Sequence, residues 1–119
     1  MDTPHPTHVY KVADAQEFAQ AQDDGIYAGA PVDLKDGFIH FSTAAQLPET
    51  LRRHFSGQRD LTLAAVRTAD LGDALRWEPS RGGDLFPHLY GNLEMSAVSW
   101  TTPIQVAADG SCQLPDRLG

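Results

Sequence analysis

The chain has 119 residues, 41% of them hydrophobic, and carries a formal net charge of -7 at neutral pH. That length and apolar content suit one compact domain with a single core and exclude a disordered chain. The acidic balance speaks against non-specific nucleic-acid binding, in which Lys and Arg must neutralise phosphates.

Cysteine usage and hydropathy narrow the class further. Cys112 is the single cysteine and cannot close an internal disulfide. No Cys and His cluster has zinc spacing, so no metal site is expected. The first residues lack a basic stretch followed by an apolar one, and no run of about 18 apolar residues is present to span a bilayer. A soluble cytoplasmic protein without a membrane role is the expectation. Lys11 and Lys35 are the only lysines among nine cations. Arginine suits bidentate binding of phosphate or carboxylate, although genome composition produces the same bias.

In chain order, Met1 to Thr7 with its two prolines reads as a loose end. His8 to Val12 alternates as a strand does. Asp14 is placed to cap a helix running to about Gln22, which Asp23-Asp24-Gly25 ends. Ile26 to Pro31 is extended, and Val32 to Gly37 is a charged connection. Phe38 to Phe41 favours a short half-buried strand after the Asp36-Gly37 turn. Thr43 and Gln46 fit a capping box for a helix over about Ala44 to Phe55. Pro48 is tolerated in its first turn, so the helix either begins at Leu47-Pro48 or has a preliminary turn before it. Leu47, Leu51, His54 and Phe55 share one face, with His54 a packing residue.

Leu61 to Val66 is apolar enough for a central strand. Thr68 to Gly72 is a helical turn or loop, Ala74 to Glu78 a strand, and Ser80 to Asp84 the loosest interior segment. Leu85 to Gly91 is extended and aromatic, Met95 to Val98 a brief helix, and Ala97 to Val106 a last strand. Pro103 assigns part of that strand to an edge or bulge. Asp109-Gly110 signals a hairpin with Cys112 to Leu114 as the return strand. Short strands outnumber helices, and the two helices are N-terminal. The pattern is α+β with a mostly antiparallel sheet, in one domain ordered over about residues 8–114.

The familiar phosphate-loop, dinucleotide, nucleophile-elbow and zinc-protease motifs are absent. Two stretches concentrate chemistry. The first runs from Asp36 to Thr43 and holds His40 near a strand's carboxyl end, either as a core histidine bonded to a backbone carbonyl or facing a ligand. The second, Trp77 to Gly91, gathers Glu78, Arg81, His88 and Tyr90 around the Gly82-Gly83 pair. His40 and His88 can transfer protons near neutral pH or bind a hydroxyl. Arg81 can hold a phosphate, and Tyr27 or Tyr90 can stack on a flat ring. Glu78 can stabilise a developing oxocarbenium. The set suits a nucleotide or sugar phosphate, in an enzyme or in a binding pocket that catalyses nothing.

The runs Asp36 to Thr43 with Gln46, Trp77 to Gly83 and Phe86 to Gly91 resemble the hallmark runs of the DUF952 family of small bacterial proteins. The resemblance spans about Val9 to Ile104. It implies an ADP-ribosyltransferase-like fold, a split, mostly antiparallel sheet or barrel around a nucleotide cleft, with NAD or an ADP-ribose-like ligand as substrate. On that resemblance His40 would contact the ribose, with Arg81 and His88 beside it as catalytic candidates. Tyr27, Ser42, Thr43, Glu78, Arg81 and Tyr90 would join His40 in binding, and Glu94 is the candidate late carboxylate. The other reading is a non-catalytic module that binds a small metabolite or a protein partner.

Overall fold

The computed structural model describes residues 6–80 and 83–115. The fold is α+β. Eight strands run in the order β1 (His8–Asp14), β2 (Ile26–Tyr27), β3 (Ile39–His40), β4 (Leu61–Arg67), β5 (Leu75–Ser80), β6 (Asp84–Leu89), β7 (Leu93–Glu94) and β8 (Val98–Ile104). Three helices are interleaved: α1 (Ala15–Asp24), α2 (Pro31–Asp36) and α3 (Leu47–His54). The described strands form three antiparallel sheets, ordered β1-β4-β8, β2-β7 and β3-β6-β5, and no closed barrel.

The central strand is β4, flanked by β1 and β8. Its Leu61-Thr62-Leu63-Ala64-Ala65-Val66 run is nearly all buried because both faces of its sheet are covered. On one face Val9, Ala13, Ala64 and Val66 pack with Phe18, Ile39, Phe41 and Leu89. On the other, Tyr10, Val12, Leu63 and Ala65 pack with Leu47 and Leu51 of α3 and with Ile104. Strand periodicity therefore sends odd positions of β1 to one core and even positions to the other. Pro103 lies in β8, the outer strand of this sheet, where a missing N–H costs no ladder bond.

The helices follow local chemistry. The Asp14 carboxylate accepts from the Gln16 and Glu17 N–H groups at the start of α1, and Gly25, at φ +83°, closes it. Thr43 and Gln46 exchange capping-box bonds of 3.1 and 3.2 Å, but they form a turn ahead of α3, which begins at Leu47 with Pro48 in its first turn. Leu47 and Leu51 are fully buried, and truncating either to alanine would cost about 2–5 kcal/mol.

Several expectations need correction. Val32 to Asp36 is not a connection but part of α2, a third helix, with Pro31 opening it and Gly37 closing it at φ +90°. Its polarity is inverted: Val32 and Leu34 are exposed and Asp33 is buried. His54 is exposed rather than packed. Cys112 to Leu114 does not return as a strand; Asp109-Gly110 turns within a short loop in which Ala107 N–H donates to the Ser111 carbonyl at 2.8 Å.

Candidate functional site

The site grows from one buried carboxylate. Asp33, on α2, is 1% exposed and accepts four hydrogen bonds. Lys11 Nζ at 2.8 Å and Ala30 N–H at 2.7 Å reach Oδ2. The backbone N–H of His40 at 3.1 Å and its ring Nδ1 at 2.6 Å reach Oδ1. Burial alone would favour the neutral acid. The His40 bond, the Lys11 charge and hydrogen bond, and the Ala30 N–H outweigh it, and the carboxyl is held well below the usual carboxylate range. Burial conversely pushes the Lys11 ammonium down, against the pull of Asp33.

His40 is thereby fixed in orientation. Its other nitrogen, Nε2, lies 3.0 Å from Asp36 Oδ2, one helical turn along from its anchor. His40 thus sits between two carboxylates, one at each ring nitrogen. Asp33 is out of solvent, whereas the side chains of His40 and Asp36 are 35% and 40% exposed. The inner bond is shielded from water, and the outer one faces solvent.

The sheet β3-β6-β5 carries the rest. Its inner face supplies Ile39 and Leu89, with Leu75 and Trp77 packed against the same core. Alternation sends the intervening residues outward. His40 pairs with His88, His88 with Arg76, and Glu78 with Phe86, so these side chains share one face. Phe38 joins them: its ring stacks on His88 at 4.2 Å and meets His40 at 4.7 Å and Tyr90 at 5.2 Å. The two imidazoles stand edge to face, 5.5 Å apart. Glu78 Oε1 binds His88 Nδ1 at 2.8 Å and accepts from the Tyr90 hydroxyl at 2.7 Å. The bond to His88 and then that to Tyr90 hold the Glu78 carboxyl below its usual range, and the same carboxylate pushes the Tyr90 phenol up. Arg76 lies over the Tyr90 ring at 4.9 Å. Each histidine thus has a carboxylate on Nδ1, the arrangement that orients an imidazole for proton transfer or hydroxyl binding.

A cleft of about 610 Å³ opens beside this face. It runs between β1, α2 and α3 and reaches His40, His88, Phe86 and Ser80. The volume is that of a small-molecule site. The sheets are joined along its wall, where Tyr10 and Ser42 exchange backbone hydrogen bonds of 2.8 and 2.9 Å. Among the described lining residues Lys11 is the one lysine or arginine, and Asp33 holds it.

The structure brings His40, His88, Glu78 and Tyr90 together. Ser42 lines the cleft, buried, with its hydroxyl 2.8 Å from that of Thr50. Thr43 is engaged with Gln46 in the turn before α3. Tyr27 stands apart: its ring is buried against Phe18 at 5.4 Å, and burial pushes its phenol up. Glu94 lies in the β2-β7 pair opposite Ile26. Arg81 lies outside the described residues, next to Ser80, which does line the cleft. Sequence reasoning missed Lys11, Asp33, Asp36 and Phe38. The clue for Asp36 was its place four residues before His40. Phe38 was legible from the two-residue period that puts it on the histidine's face.

The chain is similar to protein CC0527 of Caulobacter crescentus. Its crystal structure has 45% sequence identity and a TM-score of 0.88, covering 94% of this chain and 98% of that one. The solution structure of the same protein has 44% identity and a TM-score of 0.78, covering 88% and 90%. No curated protein matches. The family model described as "Protein of unknown function (DUF952)" matches residues 12–101, three quarters of the sequence, from Val12 in β1 to Thr101 in β8, and the chain belongs to that family.

Proposed function

We propose that the cleft and the adjoining face of β3-β6-β5 bind a nucleotide of the NAD or ADP-ribose class. The observation that carries this reading is the cluster of Phe38, His40, Glu78, His88 and Tyr90 on one sheet face, with His40 and His88 also lining a cleft of about 610 Å³. Paired carboxylates and imidazoles bind ribose hydroxyls, and aromatic rings supply flat surface for a base. His40 Nε2 meets a ribose hydroxyl once Asp36 swings away. Exposed Arg76 sits over Tyr90 where a planar ring would stack, and yields to it. Glu78 is placed to accept from a ribose hydroxyl or to face positive charge at the anomeric carbon. The pyrophosphate falls to Arg81, since the lysine of the cleft is consumed by Asp33. An ADP-ribosyltransferase-like architecture, with sheets splitting around the ligand, is part of the same proposal.

The test is protein-observed NMR with ADP-ribose. Saturable shifts are expected at Phe38, His40, His88 and Tyr90. Shifts confined to other surfaces, or none at millimolar ligand, would remove the reading. Transfer chemistry adds a second outcome: nicotinamide released from NAD in the presence of an acceptor. Binding without release fits the module that senses a metabolite.

A further inference from the structure

A strand at the edge of a sheet presents unpaired N–H and C=O groups unless something covers them. The strand β1 is an outer strand of its sheet. Tyr10 exchanges both backbone bonds with Ser42, so its polar groups point away from β4. Antiparallel ladders use alternate residues, and Val12 therefore points the same way as Tyr10. On the facing segment Phe41 N–H donates to the Pro87 carbonyl at 3.0 Å, which turns His40 and Ser42 toward β1. A pairing begun at Tyr10 and Ser42 would next match Val12 with His40.

That second rung does not form. The His40 N–H donates to Asp33 Oδ1 at 3.1 Å, and the His40 carbonyl accepts from Lys11 Nζ at 3.1 Å. The strands part at this point, with the His40 backbone satisfied by side chains. Val12 N–H and C=O are left facing the gap, without a partner among the described residues. The cleft is lined by Tyr10, Lys11, Val12, Ala13 and Asp14 in unbroken succession. Side chains of a strand alternate between faces, so such a run means that the wall is the backbone edge itself. Val12 is 5% exposed, its side chain lying in the core with Leu47 and Leu51, so what it offers the cleft is its backbone edge, where a ligand's polar groups would take the place of water.

We propose that Val12 N–H and C=O form a reading edge for a planar ligand group that presents an N–H donor beside an acceptor. A primary carboxamide has that edge, and so has the amino-substituted ring of adenine. The edge is too short for an added peptide strand: pairing ends at Ser42 on one side, and the chain turns into α1 at Ala15 on the other. Phe41 and Phe55 line the same cleft and supply apolar walls for a flat ring. This inference rests on the nucleotide reading of the cleft and names which end of the nucleotide β1 reads, the nicotinamide or the adenine.

The experiment titrates isotope-labelled protein separately with nicotinamide, adenosine and NAD. The Val12 amide proton should move downfield, saturably, with NAD and with one of the two smaller probes, and the responding probe tells carboxamide from adenine. Val12→Pro removes the donor without touching a ladder bond and should weaken that probe's Kd by about two- to tenfold, the worth of one hydrogen bond. The N,N-dimethyl form of the same probe, which has no N–H, should lose as much on the wild type. The proposal is overturned if nicotinamide and adenosine both leave the Val12 amide unmoved, or if the dimethylated probe binds as tightly as its parent. Those two wild-type measurements decide it even if Val12→Pro does not fold. A Val12 response to a small probe without NAD binding sinks the nucleotide reading and leaves the edge standing. NAD binding with Val12 unmoved does the reverse.

Discussion

Replacing Asp33 by asparagine preserves shape and removes one charge from the most buried polar group of the site. Asp33 is 1% exposed and Lys11 5%. In the variant the ammonium stays buried without its counter-charge. The amide nitrogen must also replace one oxygen, and each oxygen now receives two donors: Lys11 Nζ and Ala30 N–H at Oδ2, His40 N–H and Nδ1 at Oδ1. Either orientation sets an NH₂ group against a backbone N–H donor, that of Ala30 or that of His40. Breaking a buried pair from one side costs about 3–5 kcal/mol, a large share of the roughly 5–15 kcal/mol that hold a domain folded. Urea unfolding at pH 7, followed by tryptophan fluorescence, should register that loss. The second leg is Lys11→Met. Combined with Asp33→Asn it leaves no buried charge, so the double variant should be more stable than the sum of the single losses by about 2–3 kcal/mol. A loss below about 1 kcal/mol for Asp33→Asn, or strict additivity in the double variant, would refute the view that Asp33 organises the site.

The acid limb of stability should follow the same carboxylate. Asp33 is held low in the fold, so the unfolded chain binds more protons below the ordinary carboxylate pKa of about 4; its contribution is complete above about pH 5 and lost as pH falls further. Urea midpoints from pH 7 to 3 should fall, and fall less steeply in Asp33→Asn; equal slopes would contradict this. Gly29, at φ +119°, would place an added Cβ 2.8 Å from Asp33 Cβ, whereas one on Gly37, at φ +90°, meets nothing within 4 Å. Gly37→Ala should cost about 1–2 kcal/mol for the left-handed backbone alone, and Gly29→Ala at least about 1 kcal/mol more, by the same urea assay. Glu78→Gln should let the Tyr90 phenol fall back toward its ordinary value, seen as tyrosinate absorbance at lower pH; an unchanged titration would deny the Glu78 contact.

The parts of this fold that were legible in the sequence are those fixed by local chemistry. Asp14 and Gly25 bound α1 as their capping preferences dictate. The uninterrupted apolar run of β4 reads as a strand covered on both faces, and it is one. The helix α2 was hidden because six residues are too few for a periodic signal, and its apolar members point to solvent. Its burial is electrostatic: Asp33 is drawn inward by Lys11, a partner 22 residues earlier in the chain. No window of sequence shows such a pair. His54 was placed on the face of Leu47 and Leu51, yet it is exposed, while Leu51 and Phe55 on either side of it hold the core. His40 was recognised from its place at a strand end, while the carboxylates that clamp it came from a stretch that read as a solvated connection. Glu78, His88 and Tyr90 meet because β5 and β6 form a hairpin whose register stacks them, and the sequence between them signals the turn but not the register.

Nucleotide recognition by the cleft is tested most directly by calorimetric titration of NAD and ADP-ribose into the wild-type protein and His40→Ala. Saturable binding tighter than millimolar is expected for the wild type, and binding weaker by roughly two- to tenfold for the variant, the loss of one hydrogen bond. No wild-type binding tighter than millimolar, or equal affinity in both proteins, would contradict the account.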